Sequence, residues 1–152
     1  MIVKVIRDRI RLWAIELRKH FYIRFYGVHI HPTARISYGT IIDRSKKIYI
    51  GQYACMASGA IMLAHDYCRA YSAKTTLGDY SFVGVNAIIM PGVTVGNHCV
   101  VAAGAIVIHD VPDCCMVAGN PAVVVKTGIM TKKYGQLVTI DKSDKQNDGQ
   151  SL

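Results

Sequence analysis

Six histidines, five cysteines and ten acidic residues carry most of the chemistry available to this 152-residue chain. Histidine is the natural proton acceptor near neutral pH. His20 falls in an amphipathic leader, His29 and His31 flank the first unit of a repeat, His98 occupies a turn position, and His109 lies near the end of the repeats. His65 alone stands where the repeat opens into a loop, with Asp66 beside it. Neighbours in an extended segment point to opposite sides, so Asp66 need not orient His65. Cys55, Cys68, Cys99, Cys114 and Cys115 form an odd set without a CxxC pair, which signals neither a disulfide framework nor a structural zinc site. They read as reduced, small and mostly packed. Cys68, in the same loop as His65, offers a covalent route, but nothing near it in sequence favours a thiolate.

The elements that must position these residues repeat every six positions. Leu77, Val83, Ile89, Val95, Val101 and Val107 form the clearest run, with Ser81, Ala87, Val93, Cys99 and Ala105 four places after successive members. An earlier run is Ile30, Ile36, Ile42 and Ile48, and a third, shifted by two, is Ile50, Met56 and Met62. A strict period of six suits neither a helix nor a long alternating strand, but it does suit a solenoid. Three hexads then make one triangular turn, and each inward aliphatic stacks on its equivalent eighteen residues later. Leu77 should lie under Val95, Val83 under Val101, and Ile89 under Val107, with the small residues fitting the corners. Four turns of about 4.8 Å give a prism roughly 19 Å long, with open ends that other elements or subunits must cap.

Between Met62 and Leu77 the register is lost, and a loop over 63–76 is extruded. Rigid scaffolds carry binding and catalysis on such loops. Residues 1–26 differ in texture, with Ile2, Ile6, Ile10, Trp13, Leu17 and Phe21 at helical spacing. That segment holds 7 Lys+Arg against 2 acidic residues, or +5 of the chain's formal +8. A basic amphipathic helix is expected, capping the first coil and packing on a neighbouring subunit; its charge also suits peripheral contact with an anionic membrane. With 51% apolar residues the chain reads as one compact domain, without a spanning segment or a secretory leader, which points to the cytoplasm or the inner face of the membrane. Residues 128–152 read as a C-terminal extension whose last part, 141–152, is a disordered tail. Nucleic acid is set aside as a partner, since charge alone favours it and no stacking platform or motif accompanies it.

Three stretches carry a resemblance: Leu77-Gly-Asp-Tyr-Ser-Phe-Val-Gly-Val-Asn-Ala-Ile-Ile-Met-Pro-Gly-Val-Thr-Val-Gly, Val101-Ala-Ala-Gly-Ala, and Ala118-Gly-Asn-Pro-Ala. Over residues 28–127 the chain resembles the hexapeptide-repeat acyltransferases, in the branch of maltose, galactoside and colanic-acid type O-acetyltransferases. The resemblance implies an all-β fold, a left-handed parallel β-helix, although parallel crossovers are right-handed as a rule. It implies acetyl-CoA as cosubstrate, no metal, and a homotrimer with active sites between subunits. His-Asp-Tyr at 65–67 is similar to the colanic-acid type motif, so the resemblance assigns the general base to His65, with Asp66 as a further catalytic candidate. By position, Val85, Asn86, Ala103, Gly104 and Ile108 match stretches that line the donor groove. Lys126 matches a basic residue near the nucleotide phosphates, and His109 stands where several relatives carry lysine. Gly59 replaces a sugar-contacting asparagine of galactoside-type relatives, which argues against a simple galactoside.

The activity implied is transfer of acetyl to a saccharide hydroxyl, during assembly of a bacterial surface polysaccharide, by direct attack. The alternatives are an N-acetyltransferase, a serine acetyltransferase, and a coil that binds without catalysing. A serine acetyltransferase is disfavoured because its long helical N-terminal domain has no room in this short leader. A zinc lyase resembling the γ-type carbonic anhydrases would need three convergent histidines, and its HxxxxH pair is absent.

Overall fold

The computed structural model describes residues 2–138; the tail expected at 141–152 lies outside them. After helix α1 (Ile2–Tyr26), the chain winds in coils of three short strands. Coil one holds β1 (His29–Ile30), β2 (Arg35–Ile36) and β3 (Ile41–Ile42), and coil two holds β4 (Ile48–Ile50), β5 (Cys55–Met56) and β6 (Ile61–Met62). The extruded loop carries a small antiparallel hairpin, β7 (His65–Asp66) with β8 (Tyr71–Ser72). Coil three follows as β9 (Thr75–Leu77), β10 (Phe82–Val83) and β11 (Ile88–Ile89), and coil four as β12 (Thr94–Val95), β13 (Val100–Val101) and β14 (Ile106–Val107). A final hairpin, β15 (Cys115–Gly119) and β16 (Ala122–Thr127), closes the strand series.

Stacking of equivalent strands makes three parallel faces: β1-β4-β9-β12, β2-β5-β10-β13, and β3-β6-β11-β14. The second face is extended by β15 and then by antiparallel β16. The fold is the left-handed parallel β-helix anticipated from the repeat. Leu77 pairs with Val95, Val83 with Val101, and Ile89 with Val107, as the eighteen-residue spacing requires. All six are buried, and so are the small residues Ser81, Ala87, Val93, Cys99 and Ala105 at the bends. Coil one relates to coil two by twenty residues instead, pairing Ile30 with Ile50, Ile36 with Met56 and Ile42 with Met62. Two extra residues are therefore accommodated at the corner over 43–47, between the third face and the first. Coil two relates to coil three by twenty-seven, as in Met56 with Val83, and its nine extra residues are the loop at the same corner.

Helix α1 closes the open end of coil one. Tyr22, Ile23 and Tyr26 pack on the core, Lys19 Nζ donates to the Pro32 carbonyl at 2.7 Å, Arg18 donates to the Thr40 carbonyl, and Arg44 stacks on Tyr26. All three corners of coil one are thus touched by one helix. The row singled out by spacing does not do this work, because Ile6, Ile10, Trp13, Leu17 and Phe21 are all exposed. At the other end, Ile129 N–H donates to the Cys114 carbonyl and Tyr134 N–H to the Tyr53 carbonyl, so the segment after β16 runs back along the corner between the first and second faces. The cysteines are all free, with Cys55, Cys99 and Cys115 buried and Cys68 exposed.

Ile89 touches the stack on both sides, through Met62 and Val107, and is fully buried. Truncating Ile89→Ala should lower unfolding free energy by about 2–5 kcal/mol, because neighbouring coils cannot collapse into the cavity. Denaturant unfolding followed by circular dichroism checks this.

Candidate active site

His65 opens the loop at the corner between the third and first faces. Its Nδ1 is hydrogen-bonded to Asp43 Oδ2, and the same carboxylate oxygen accepts the Ala64 N–H at 3.0 Å. Asp43 follows β3 directly, and its own N–H donates to the Met62 carbonyl at 2.9 Å. Coil one therefore sets the entrance of the coil-two loop. A carboxylate only accepts, so Nδ1 carries the proton and a neutral His65 leaves Nε2 as the free acceptor. The histidine side chain is 43% exposed against 10% for Asp43, which places a largely covered anchor behind an accessible imidazole. The Tyr67 ring stands edge-on to the imidazole at 4.9 Å and is itself 91% exposed.

The neck of the loop is pinned by polar contacts. Thr75 Oγ1 donates to the Leu63 carbonyl at 2.6 Å and accepts the Gly92 N–H at 3.0 Å, while Ala73 N–H donates to the Ala64 carbonyl at 3.0 Å. Lys47 Nζ, from the same corner as Asp43, donates to the Ser72 carbonyl at 3.0 Å and Oγ at 3.1 Å. Gly92 adopts φ +86°, which strains any other residue, and a Cβ there would approach Tyr71 Oη at 2.6 Å, so a side chain would push the Tyr71 ring aside.

Asp66 is oriented elsewhere. Its Oδ2 accepts from Arg69 Nε at 2.7 Å, and its Oδ1 accepts the Cys68 and Arg69 backbone N–H groups at 2.9 and 3.2 Å. The hydrogen bond from Arg69 holds the Asp66 carboxyl below the usual carboxylate range. Asp66 shapes the hairpin turn, and the carboxylate against His65 is Asp43, twenty-two residues earlier. Spacing along the chain did not point to Asp43. The signal available was the two-residue slip between the Ile48 and Ile50 registers, which marks an insertion at the corner the loop shares.

The other candidates fall in three places. Val85 and Asn86 turn the corner between the second and third faces in coil three, and Ala103 and Gly104 turn the same corner in coil four, joined by the Gly104 N–H donating to the Val85 carbonyl at 2.8 Å. All four are exposed. Asn86 is left-handed at φ 55°, in a ladder with Gly59 and Gly104 at φ 72° and 69°. Its side-chain oxygen occupies the space a Cβ on Gly59 would need, so an asparagine at 59 would collide with Asn86. Ile108 lies across the third face, following β14, and with His109, Arg69 and Tyr71 lines a cleft of about 510 Å³. Lys126 is exposed on β16, opposite Met116, at the outer edge of the second face. Between the Asn86 corner and the His65 corner runs an outward row of Ile41, Ile61, Ile88 and Ile106, in register. Among the described residues no group of three or more His, Cys, Asp or Glu converges as metal ligands.

Residues 74–109, which span coils three and four, match the bacterial transferase hexapeptide (six repeats) family. The chain carries the hexapeptide transferase repeat. It is 33% identical over 107 residues to serine acetyltransferase 2 of Arabidopsis thaliana, covering 66% of this chain and 33% of that protein. The chain thus spans about a third of that relative's length. Its structure is similar to a maltose O-acetyltransferase from Clostridium difficile (TM-score 0.58, 20% identity, 72% of this chain and 74% of that one). It is also similar to an N-acyltransferase from Bacillus cereus solved with coenzyme A and dTDP-4-amino-4,6-dideoxyglucose (TM-score 0.60, 22% identity, 66% and 63%). At these identities the structural likeness is one of fold.

Asp43→Asn should disturb the tautomer without emptying the site, because an amide can also donate to Nδ1. Nitrogen chemical shifts of the His65 ring should report an Nδ1–H form in the wild type and a mixed population in the variant.

Proposed function

We infer that the protein is an acetyl-CoA-dependent acetyltransferase with a saccharide hydroxyl as acceptor, working in assembly of a bacterial surface polysaccharide. The observation that carries the reading is the Asp43–His65 pair at the mouth of the loop. A largely covered carboxylate holds an exposed imidazole with its acceptor nitrogen free, which is what a general base for a hydroxyl needs.

The isoleucine row beside this pair suits the long, weakly polar arm of coenzyme A. Gly104 at its rim has no side chain, and the space where its Cβ would stand is open. Acetyl-CoA would supply the activated thioester. His65 Nε2 would take the proton of the acceptor hydroxyl as its oxygen bonds to the acetyl carbon, then return it to the departing thiolate sulfur. Asp43 would stabilise the imidazolium formed in between. No acyl-enzyme is required, and Cys68 has no part in this route. Val85, Asn86, Ala103, Gly104 and Ile108 are assigned to the arm, and Lys126 to the nucleotide phosphates.

The exposed Tyr67 ring favours a sugar as acceptor, because the apolar face of a pyranose stacks on such a ring. The serine acetyltransferase relative favours a second acceptor, L-serine. The resemblance to the hexapeptide-repeat acyltransferases assigns the active species as a trimer, with a neighbouring copy completing the groove.

Titration of acetyl-CoA into wild type and His65→Ala should give similar affinity in both. Turnover over a panel of saccharides and L-serine should fall about 10²–10⁴-fold in the variant. A preference for L-serine would replace the saccharide reading, and failure of either protein to bind acetyl-CoA would leave a non-catalytic coil. Sedimentation of the active species as a monomer would remove the shared groove.

A further inference from the structure

The capping role of α1 leaves one face of the helix unexplained. Residues facing the prism are Ile15, Lys19, Tyr22, Ile23 and Tyr26, all partly or fully buried. Roughly half a helical turn away, Ile6, Ile10, Trp13, Leu17 and Phe21 form a continuous apolar row, each exposed, with Trp13 at 66%. No described part of the chain covers this row. Such a row on a folded protein marks an interaction surface.

We propose that this row docks on an anionic lipid bilayer, with α1 lying in the plane of the headgroups. Three observations favour lipid over a second copy. Residues 1–26 carry 7 Lys+Arg against 2 acidic residues, so two such helices repel while anionic headgroups attract them. Exposed Arg9 and Arg24 border the row. The row is aromatic and aliphatic in mixture, with Trp13 and Phe21 suited to the interface, and no helix among the described residues is long and apolar enough to cross a membrane. The element rests on the surface.

Docking there orients the whole prism. Because α1 closes the end of coil one, docking turns that end of the prism toward the lipid. His65 follows coil two and pairs with Asp43 of coil one, the coil that α1 closes. The loop would then face substrates carried at the membrane surface. The docking itself does not depend on the acetyltransferase reading.

Trp13 is the single tryptophan, so its emission reports on the row directly. The full chain is mixed with vesicles of phosphatidylglycerol and phosphatidylcholine, and with phosphatidylcholine alone. Blue-shifted emission and co-sedimentation are expected with the anionic vesicles, at least tenfold weaker with phosphatidylcholine, and weakened by salt. The Leu17→Glu, Phe21→Glu double variant should lose binding tenfold or more, with its thermal midpoint and its acetyl-CoA affinity unchanged. Equal binding to both vesicle types, or no binding to either, overturns the proposal. Emission already blue-shifted without lipid and unmoved by vesicles also overturns it and assigns the row to a second copy.

Discussion

Everything in this molecule depends on register between coils. The strand hydrogen bonds run from one coil to the next, as in Ile88 N–H to Ala105 and Met90 N–H to Val107, and each inward aliphatic rests on the one below. A residue added within a strand would turn an inward side chain outward and break the ladder on both sides. Length can change only at the bends. The chain changes length three times, gaining two residues after β3 and nine after β6 and losing two after β14, and all three changes fall at one corner of the triangle.

That coincidence builds the site. The short insertion places Asp43 and Lys47 under the long one, and each holds an opposite limb of the loop: Asp43 takes Ala64 and His65, and Lys47 takes Ser72. Thr75 then ties the neck to the next coil through Gly92. A nine-residue excursion on its own would cost conformational entropy without fixing a side chain. Supported from below and above, it presents one imidazole in one tautomer.

The periodicity was legible because it is local: six-residue spacing of aliphatics and small residues four places on report inward and corner positions directly. The stacking partners of coils three and four followed by arithmetic. Asp43 was not legible in the same way, since its pairing with His65 depends on a twenty-residue coil that appears only once two offset runs are joined. Asp66 drew attention by adjacency, but its carboxylate turns into its own hairpin, where the Arg69 guanidinium and two backbone N–H groups outcompete the imidazole. The helix row left its partner open for a related reason. Amphipathicity identifies an apolar face without saying what covers it, and here the face that packs on the prism is the polar-aromatic one of Lys19, Tyr22 and Tyr26.

One backbone thus yields three chemically different faces. Outward positions on the first face run His29, Tyr49, Thr76 and Thr94, with His29 stacked on Tyr49 at 4.3 Å. Those on the second run Arg35, Cys55, Phe82, Val100 and Met116, and the hairpin of β15 and β16 extends that face beyond coil four. On the third, every outward strand position is isoleucine. A β-branched residue repeated on the solvent side adds nothing to the core. Its stiffness does give a smooth, fixed surface, and such a surface has a use only against something that lies along it. The His65 corner borders this face and no β-strand extends it, so the loop and the one uniformly apolar face open onto each other.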